Sequence, residues 1–588
     1  MKKNNIKNNL GNSKKKRLLQ AFKMRKDTIT KNLPQQYNLQ KLFLSILLLI
    51  TQTAYLCKKH WQKLTQNALN TQLKHKRLFY VFSIGLFNFF ASTPLSFIFI
   101  LPITFGTLLY ILHQQKTLPL KTQLLTIFFF LFGHFVSIFW WFIMPLFTDI
   151  SHLFILIPLA LLALPFIISL CFMPVFAILL YLWKKIFIEQ TLFTRLKANK
   201  YIAITDLSDL CFFVLFLVSW LCGDLFRSTI PFGGFPWMLF GHFVPYSFAI
   251  QPVRLIGIDL YSICFLALVL TPYFLFFKKD NCVIRKISMI ILAGWGINCL
   301  LGLIIILLTP TTKFKQNILT TQINYPASLD MSANATTILQ QNLDLIYWNS
   351  RSPKETIIVM PESTINFDLQ PNTQASRIIG KHIPNEKSIL IAGGIYWDYN
   401  GLSPYNVAYA IDQYGHIVDL YKKQKLVPFG EYIPFRKYFP TLVRTITGGM
   451  IDFINTGEHN LYIFHRDLPL IYPIICYESI FPNYIKNNIK ISRKRFAEMD
   501  KEYMEQNHIK NIAERGEVIV NLTNDAWIKW SFAPYQHFLM TRFLAVATGI
   551  PVIRASNNGI SAIIDKTGVV IQKTGLNKQD LIFLKGAN

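Results

Sequence analysis

The first half of the chain is a succession of long apolar runs broken by short polar or basic segments. Runs at 78–93, 95–113, 122–145, 152–183, 207–226, 256–277 and 287–309 lie near the roughly 20 residues that a helix needs to cross a bilayer. They predict seven spans. The fourth is longer than needed, and Pro165 and Pro174 inside it predict a kinked or tilted helix. A shorter run, 42–57, is followed by the strongly basic KKHWQKLTQNALNTQLKHKR (58–77). A crossing there would put that basic loop outside, against the positive-inside rule, so 42–57 is expected to be an interfacial or hairpin segment.

From about residue 311 the pattern changes. Short β-branched runs appear between turn residues: TIIVM (356–360), SILIAGG (388–394), YNVAYAI (405–411), IVDLY (417–421), LIYPIIC (470–476), EVIVNL (517–522), PVIRA (551–555) and ISAIID (560–565). Helical stretches fall between several of them, at 333–350 and 535–549 for example, and DQYGH (412–416) has the composition of a hairpin turn. This alternation predicts an α/β domain with a buried sheet over 311–588. The organisation is then a basic tail (1–77), a membrane bundle (78–310) and the α/β domain.

Composition supports the division. The chain is 52% hydrophobic with 50 Phe and a mean hydropathy of +0.33, which is membrane-protein composition. The formal charge of +29 is accounted for by Lys and Arg in cytoplasmic loops and the tail. No basic helix interleaved with base-reading residues accompanies it, so a nucleic-acid partner is not expected. With the N-terminus inside, the inner loops carry Lys116 and Lys121, then Lys184, Lys185, Arg195, Lys197 and Lys200, then Lys278, Lys279, Arg285 and Lys286, while the segment 146–151 has no Lys or Arg. Seven crossings then place everything after residue 310 outside the cytoplasm.

One cysteine, Cys476, follows residue 300; the seven others lie in or beside apolar stretches. Alone it reads first as an inert buried thiol. Its surroundings supply another reading. Three strands run directly into polar residues: TIIVM into Pro361-Glu362, LIYPII into Cys476-Tyr477-Glu478, and EVIVNL into Thr523-Asn524-Asp525. Strand ends are where α/β sheets carry chemistry. Lys423 follows a fourth strand, eight residues before Glu431, with Pro428 and Gly430 shaping the loop between them. A nucleophilic thiol needs a base or a cation nearby, and Glu362 and Lys423 offer both. Singly, each would read as an ordinary surface charge.

PEST (361–364), KKQKLVPFGEYIPF (422–435), CYESIFP (476–482) and NLTNDAW (521–527), in this order, resemble the nitrilase superfamily. More narrowly they are similar to the apolipoprotein N-acyltransferase family, in which a nitrilase-like domain follows a membrane bundle. DLFRSTIPFGGFPW (224–237) and QHFLMTRFLAVATGIPVIRASNNGISAIID (536–565) resemble two further blocks of that family, and the likeness covers roughly residues 78–575. It implies an N-terminal multi-span helical bundle followed by an αββα nitrilase-like sandwich. It implies a triad of Glu362 (general base), Lys423 (oxyanion stabiliser) and Cys476 (nucleophile). Glu431 and Glu478 would orient the lysine and polarise the site, and Tyr477 would pack on the acyl chain. The implied reaction moves a fatty acyl chain from a phospholipid to Cys476 and then to the amine of a diacylglyceryl-cysteine at an apolipoprotein's N-terminus. It needs no cofactor and no metal. The implied setting is the bacterial inner membrane, with a monomeric enzyme whose catalytic domain faces the periplasm.

The sequence departs from that family in places. Met331 stands where the family commonly has tryptophan, NDAWIKW replaces NDAWFG, and Leu544 and Ala547 replace an arginine and a glutamate. A charged stretch at about 486–515 reads as an inserted amphipathic helix, and the resemblance implies a final membrane helix where this sequence ends at LIFLKGAN. Two other readings stay open at this point: a membrane-tethered carbon–nitrogen hydrolase using the same triad, and a catalytically decayed lipoprotein-binding homologue.

Overall fold

The computed structural model describes residues 74–147, 157–188, 204–326 (except 279), 334–349, 354–397 (except 371–372), 404–434, 452–454, 462–499 and 516–587, with positions 436 and 438 besides. The segment 42–57, Met331 and residues 500–515 lie outside it.

Each of the seven predicted spans contains a helix, but they are not equal. The helices are α1 (Lys74–Leu86), α2 (Ile100–Gln114), α3 (Leu120–Phe139), α4 (Ile157–Phe187), α5 (Ile204–Thr229), α6 (Val253–Phe277) and α7 (Cys282–Leu308). Five, α3 to α7, are long and apolar enough to cross a membrane, α3 when continued by its 3₁₀ extension to Phe147. The first two are not: α1 has 13 residues and α2 has 15. Seven helices therefore lie in the predicted bundle, five of them long and apolar enough to cross among the described residues. The apolar run hides a break, because a 3₁₀ turn (Phe87–Ala91) and the stretch through Pro94 interrupt the helix. Non-helical backbone at membrane depth survives only where protein covers it and satisfies its polar groups. Asn88 and Ser92 are fully buried. Asn88 bonds His134 and accepts from Thr104 Oγ1 at 2.6 Å.

Gly85 and Gly133 let α1 and α3 touch backbone to backbone, since a Cβ on Gly85 would lie 2.2 Å from the Phe130 carbonyl oxygen. Helix α4 runs unbroken through both of its prolines. Helix α7 buries few residues and turns Leu300, Leu307 and Leu308 outward, an apolar face that only lipid suits.

The α/β domain is a two-sheet sandwich. Its strands are β1 (Asn317–Gln322), β2 (Thr356–Val359), β3 (Ile389–Trp397), β4 (Pro404–Ile411), β5 (Ile417–Lys422), β6 (Leu470–Ile475), β7 (Glu517–Thr523), β8 (Val552–Ser556), β9 (Ala562–Ile564), β10 (Val570–Lys573) and β11 (Asp580–Leu584). One sheet runs β11-β1-β2-β3-β4-β5 and the other β10-β9-β8-β7-β6. Residues alternate between faces as the pleat requires. Ile357 and Val359 meet Val518, Val520 and Leu522 between the sheets. Ile358 turns instead to α8 (Ala335–Asn349) and α9 (Thr373–Gly380), and Ile519 to α10 (Pro482–Met499) and α11 (Ala533–Thr548). Helices therefore cover both outer faces, giving the expected αββα order.

Three strands lacked a readable pattern. β1 (NILTTQ) is completely buried although mostly polar. Gln322 accepts from Ser561 Oγ at 2.8 Å and Thr574 Oγ1 at 2.7 Å, whereas Thr320 Oγ1 is buried without a partner among the described residues. β10 and β11 are short, and β11 pairs antiparallel with β1. The charged stretch expected at 486–515 also begins differently. Helix α10 starts at Pro482, directly after the Cys476 turn, and buries Ile485, Ile489 and Phe496 against β6 and β7.

Helix α11 is buried all round because it has two partners. Phe538, Leu544 and Ala545 face the second sheet, while Met540, Phe543, Val546 and Ala547 face the bundle. Leu544 and Ala547 thus lie in apolar packing, one on each side.

Candidate active site

Parallel pairing brings the candidate residues to one edge. Ile475 of β6 is in register with Leu522 of β7, and Thr523 with Ser556 of β8. Cys476 therefore emerges level with Thr523-Asn524-Asp525. Glu362 leaves the end of β2 and Lys423 the end of β5.

Lys423 is 1% exposed and its ammonium sits between two carboxylates, Glu431 Oε1 at 2.8 Å and Glu362 Oε1 at 3.2 Å. Asn406 Nδ2 donates to the same two oxygens, at 2.6 Å (Glu431) and 2.8 Å (Glu362). The outer oxygens accept from backbone: Glu362 Oε2 from Asn524 N–H at 3.0 Å, Glu431 Oε2 from Val427 N–H at 2.7 Å. Burial alone would push the lysine down; Glu362 and Glu431 outweigh it, so Lys423 is held well above the ordinary amine range and stays charged.

Cys476 starts a 3₁₀ turn (Cys476–Ile480) with φ of 48°. That left-handed conformation costs a non-glycine residue on the order of 1–2 kcal/mol, so the surroundings must enforce it. Glu478 does much of this. It is fully buried, and it accepts from Ile475 N–H (2.7 Å), Gln424 N–H (2.7 Å), Lys425 N–H (3.1 Å) and Tyr421 O–H (2.7 Å). Glu478 thus ties the cysteine turn to the lysine-bearing segment, and its bonds go to backbone and tyrosine. Burial raises its pKa, and the bonds from Ile475 N–H, Tyr421 O–H and Gln424 N–H oppose that.

The Cys476 thiol is pushed above the ordinary thiol range by burial and by Glu362 and Asp525, with Lys423 pulling the other way. Ser363 and Phe429, beside Glu362 and Glu431, and Phe232 and Met238 in the bundle's facing loop are also at positive φ. Strain of this kind gathers at sites that the fold over-determines.

A second charged group was not read from the sequence. Asp525 accepts from Arg554 NH2 at 2.9 Å through Oδ2, and its Oδ1 lies 2.8 Å from His537 Nδ1. His537 Nε2 in turn lies 2.9 Å from Ser479 Oγ and 3.1 Å from the Cys476 carbonyl oxygen. Burial would raise Asp525, but His537 and Arg554 outweigh it and hold its carboxyl below the ordinary range. Ligand atoms of Cys476, Asp525 and His537 lie within 4.8 Å of one another. The Asp525 oxygens and His537 nitrogens are already engaged with each other and with Arg554 and Ser479, so the trio reads as a hydrogen-bonded cluster rather than a cation site.

The site sits on the bundle. Arg227, buried in α5, bonds Asp224 at 2.8 Å and donates to the carbonyls of Phe235 (3.0 Å), Trp237 (2.9 Å) and Met238 (3.3 Å). This fixes the GGFPW loop. Tyr477 O–H donates to the Gly234 carbonyl at 2.9 Å, and its ring packs on Phe481 and Phe235. Trp237 Nε1 donates to Gln536 Oε1 at 2.7 Å, and Gln536 donates to Ser92 Oγ at 2.9 Å. The cysteine turn, α11 and the membrane segment form one packed seam.

An αββα sandwich with glutamate, lysine and cysteine at its strand ends, continuous with an apolar helical bundle, defines a membrane-attached member of the carbon–nitrogen hydrolase class. Comparison with known proteins agrees. Residues 339–489 and 499–585 match the carbon–nitrogen hydrolase family, and residues 84–277 match the apolipoprotein N-acyltransferase N-terminal domain. An apolipoprotein N-acyltransferase of Rickettsia prowazekii (strain Madrid E) is 30% identical over 521 residues, covering 85% of this chain and 90% of the relative. That of Rickettsia typhi is 29% identical over 522 residues with the same coverage. A nitrilase-superfamily protein of Saccharomyces cerevisiae aligns with 47% of this chain and 92% of its own at 14% identity, with a TM-score of 0.32, too low to add to the argument. The chain belongs to the apolipoprotein N-acyltransferase family and is a multi-span membrane protein.

Proposed function

We propose that this protein transfers a fatty acyl chain from a membrane phospholipid, through a thioester on Cys476, to the α-amine of the diacylglyceryl-cysteine at an apolipoprotein's N-terminus. The observation that carries the reading is the seam. The turn bearing Cys476 packs through Tyr477 into the bundle's own hydrophobic cluster, so the nucleophile stands where membrane-anchored substrates arrive.

In the first half-reaction Glu362 takes the thiol proton and the sulfur attacks the ester carbonyl carbon. The oxyanion that forms is stabilised by Lys423, whose charge is already fixed in place by Glu362 and Glu431. Collapse breaks the carbon–oxygen bond, and the leaving lysophospholipid oxygen takes the proton from Glu362. In the second half, the incoming amine attacks the thioester carbonyl and yields its proton to Glu362. The same ammonium holds the second oxyanion, and the sulfur leaves and is reprotonated. Keeping water away protects the thioester between the halves. The reaction asks for no cofactor and no metal.

By the loop charges, the domain faces the periplasm from the bacterial inner membrane. A monomer suffices, since every residue with a role here comes from one chain.

The test is to incubate membranes containing the protein with a fluorescent phospholipid and a diacylated lipopeptide. Labelled, N-acylated lipopeptide together with lysophospholipid is the expected product pair. Free fatty acid without acylated lipopeptide would instead indicate a hydrolase.

A further inference from the structure

The break between α1 and α2 leaves an opening that the proposed chemistry does not use. Beside the 3₁₀ turn Phe87–Ala91, a groove of about 460 Å³ lies between the C-terminal ends of α1 and α3, within the roughly 300–1,000 Å³ of ordinary ligand sites. Phe87 and Phe90 line it and are 53% and 42% exposed, so it opens on the protein's surface. Cys476, Glu362, Lys423 and the GGFPW loop take no part in its wall.

The wall decides what fits. Among the described residues it carries no charged side chain. Its two hydroxyls are engaged with their own helices: Ser83 Oγ donates to the Phe79 carbonyl at 2.9 Å and Ser137 Oγ to the His134 carbonyl at 2.7 Å. The indole Nε1 of Trp140 is buried. A polar ligand would lose its hydrogen bonds to water and gain none here, so the occupant is apolar. The setting says which apolar molecule arrives. Helix α3, continued to Phe147, is long and apolar enough to cross a membrane, and the groove lies along its side. Phe79, one turn before Ser83, is 71% exposed and extends the apolar surface. The hydrocarbon chains of the bilayer are what such a surface meets. Packing rather than escape from water retains a chain there, because the bilayer that it leaves is equally apolar. Rings fixed by the fold give it closer contact than mobile neighbouring chains do.

The groove also adjoins the seam with the α/β domain. Phe89 and Trp140 line it, and both rings pack on Phe532, with centroids 4.9 and 5.8 Å apart. Phe532 directly precedes α11, and Gln536 of α11 reaches back to Ser92, just past the 3₁₀ turn, at 2.9 Å. A chain in the groove therefore touches two of the rings on which the start of α11 rests.

We propose that this groove holds one hydrocarbon chain of a membrane phospholipid, bound as a companion that is not consumed, and that the chain completes the packing of Phe89 and Trp140 against Phe532.

The test does not depend on acyl transfer. Full-length protein is placed in vesicles of phosphatidylethanolamine and phosphatidylglycerol doped with a dialkyl ether phospholipid that carries a diazirine midway along one chain. The ether bonds give it no acyl group to donate. After irradiation, labelled peptides are mapped by mass spectrometry. Labelling of residues 83–90 and 136–140 is expected to exceed that of the outward-facing stretch 300–308 of α7 at least about threefold per residue, the ratio that a handful of packed contacts provides. Ser83→Trp fills the groove and brings the labelling down to the level of α7; Ser83→Ala leaves the groove open and keeps it. In detergent, added phospholipid raises the Tm of the wild type and not that of Ser83→Trp. Wild-type labelling no higher than on α7 overturns the inference, whether the groove is then empty or covered by another part of the chain, and this comparison decides even if Ser83→Trp fails to fold. Unchanged labelling in folded Ser83→Trp overturns it too. The KM of Ser83→Trp for the donor phospholipid is expected to stay within about twofold of the wild type; a KM that rises as the label is lost would put the groove on the donor's path and overturn the companion role. If Cys476 accepts no acyl group, the proposed function falls, and the labelling still decides this inference.

Discussion

The two flanks of Cys476 are built from the same side-chain classes in opposite proportion. On the Lys423 flank one ammonium is shared by two carboxylates, Glu362 and Glu431. On the Asp525 flank one carboxylate is shared by Arg554 and His537. The first has an excess of negative charge, so a carboxylate is available to take a proton. The second holds its one carboxylate between Arg554 and His537, so that carboxylate is already engaged and does not compete as a base. A buried ion cluster is poor evidence of stability in itself, because desolvation offsets much of the attraction. Its asymmetry is what bears on chemistry: the sulfur lies between a base on one side and the engaged Asp525 on the other.

The largest expected effect comes from removing what both flanks serve. Cys476→Ala is expected to abolish acyl-enzyme and product entirely while leaving expression and membrane insertion intact. Residual transfer above the detection limit would mean that the flanks frame no nucleophile.

Lys423→Met tests the first flank. It strips the shared cation from two buried carboxylates, with an expected loss of at least about 10²–10³ in acylation rate and about 3 kcal/mol of stability, read by kinetics and thermal unfolding in detergent. Glu478→Gln tests the turn between the flanks. The carboxylate accepts backbone N–H bonds through both oxygens; the amide keeps one accepting oxygen and sets an NH2 donor at the other position, at about 1–3 kcal/mol, with activity falling in proportion to misplacement of Cys476.

A smaller effect is expected with pH. The folded thiol titrates above its ordinary value because of burial, Glu362 and Asp525. A raised folded value means that the group's contribution to stability is complete below the ordinary thiol range of about 8.5 and is lost as pH rises through the folded value. The difference in Tm between wild type and Cys476→Ala should therefore fall as pH is raised past that range; a flat difference would contradict the raised thiol. The smallest effect is assigned to Tyr477→Phe, which removes one hydrogen bond to the bundle. It should cost about 1 kcal/mol and change activity by no more than about threefold.

The first flank was legible in the sequence and the second was not, for physical reasons. Glu362, Lys423 and Cys476 each end a short β-branched run, and the break from apolar strand to charged residue is visible in one dimension. Asp525 is equally visible, but its partners lie 12 and 29 residues away on another helix and strand. The available signal was weak: Gln536, His537, Thr541 and Arg542 interrupt a mostly apolar helix, and Arg554 stands in the middle of a buried strand. The sequence places Tyr477 beside the nucleophile and gives no sign of where its hydroxyl goes. Its hydroxyl goes to Gly234, a contact 243 residues away in sequence.

The sandwich was readable where strands alternate and unreadable at β1, whose buried Gln322 is satisfied by Ser561 and Thr574, far along the chain. In the bundle, apolar runs located each α-helix among the described residues, yet hydropathy could not see that the first two are cut short around Asn88 and Pro94.

The central claim is that Cys476 carries an acyl group between the two halves of a transfer. Intact-protein mass spectrometry of the protein purified from membranes, before and after hydroxylamine, reads this directly. The account predicts an added fatty-acyl mass that maps to Cys476, is removed by hydroxylamine and is absent from Cys476→Ala. An unmodified Cys476 in protein that is actively acylating lipopeptide, or an acyl mass that survives hydroxylamine, would contradict it.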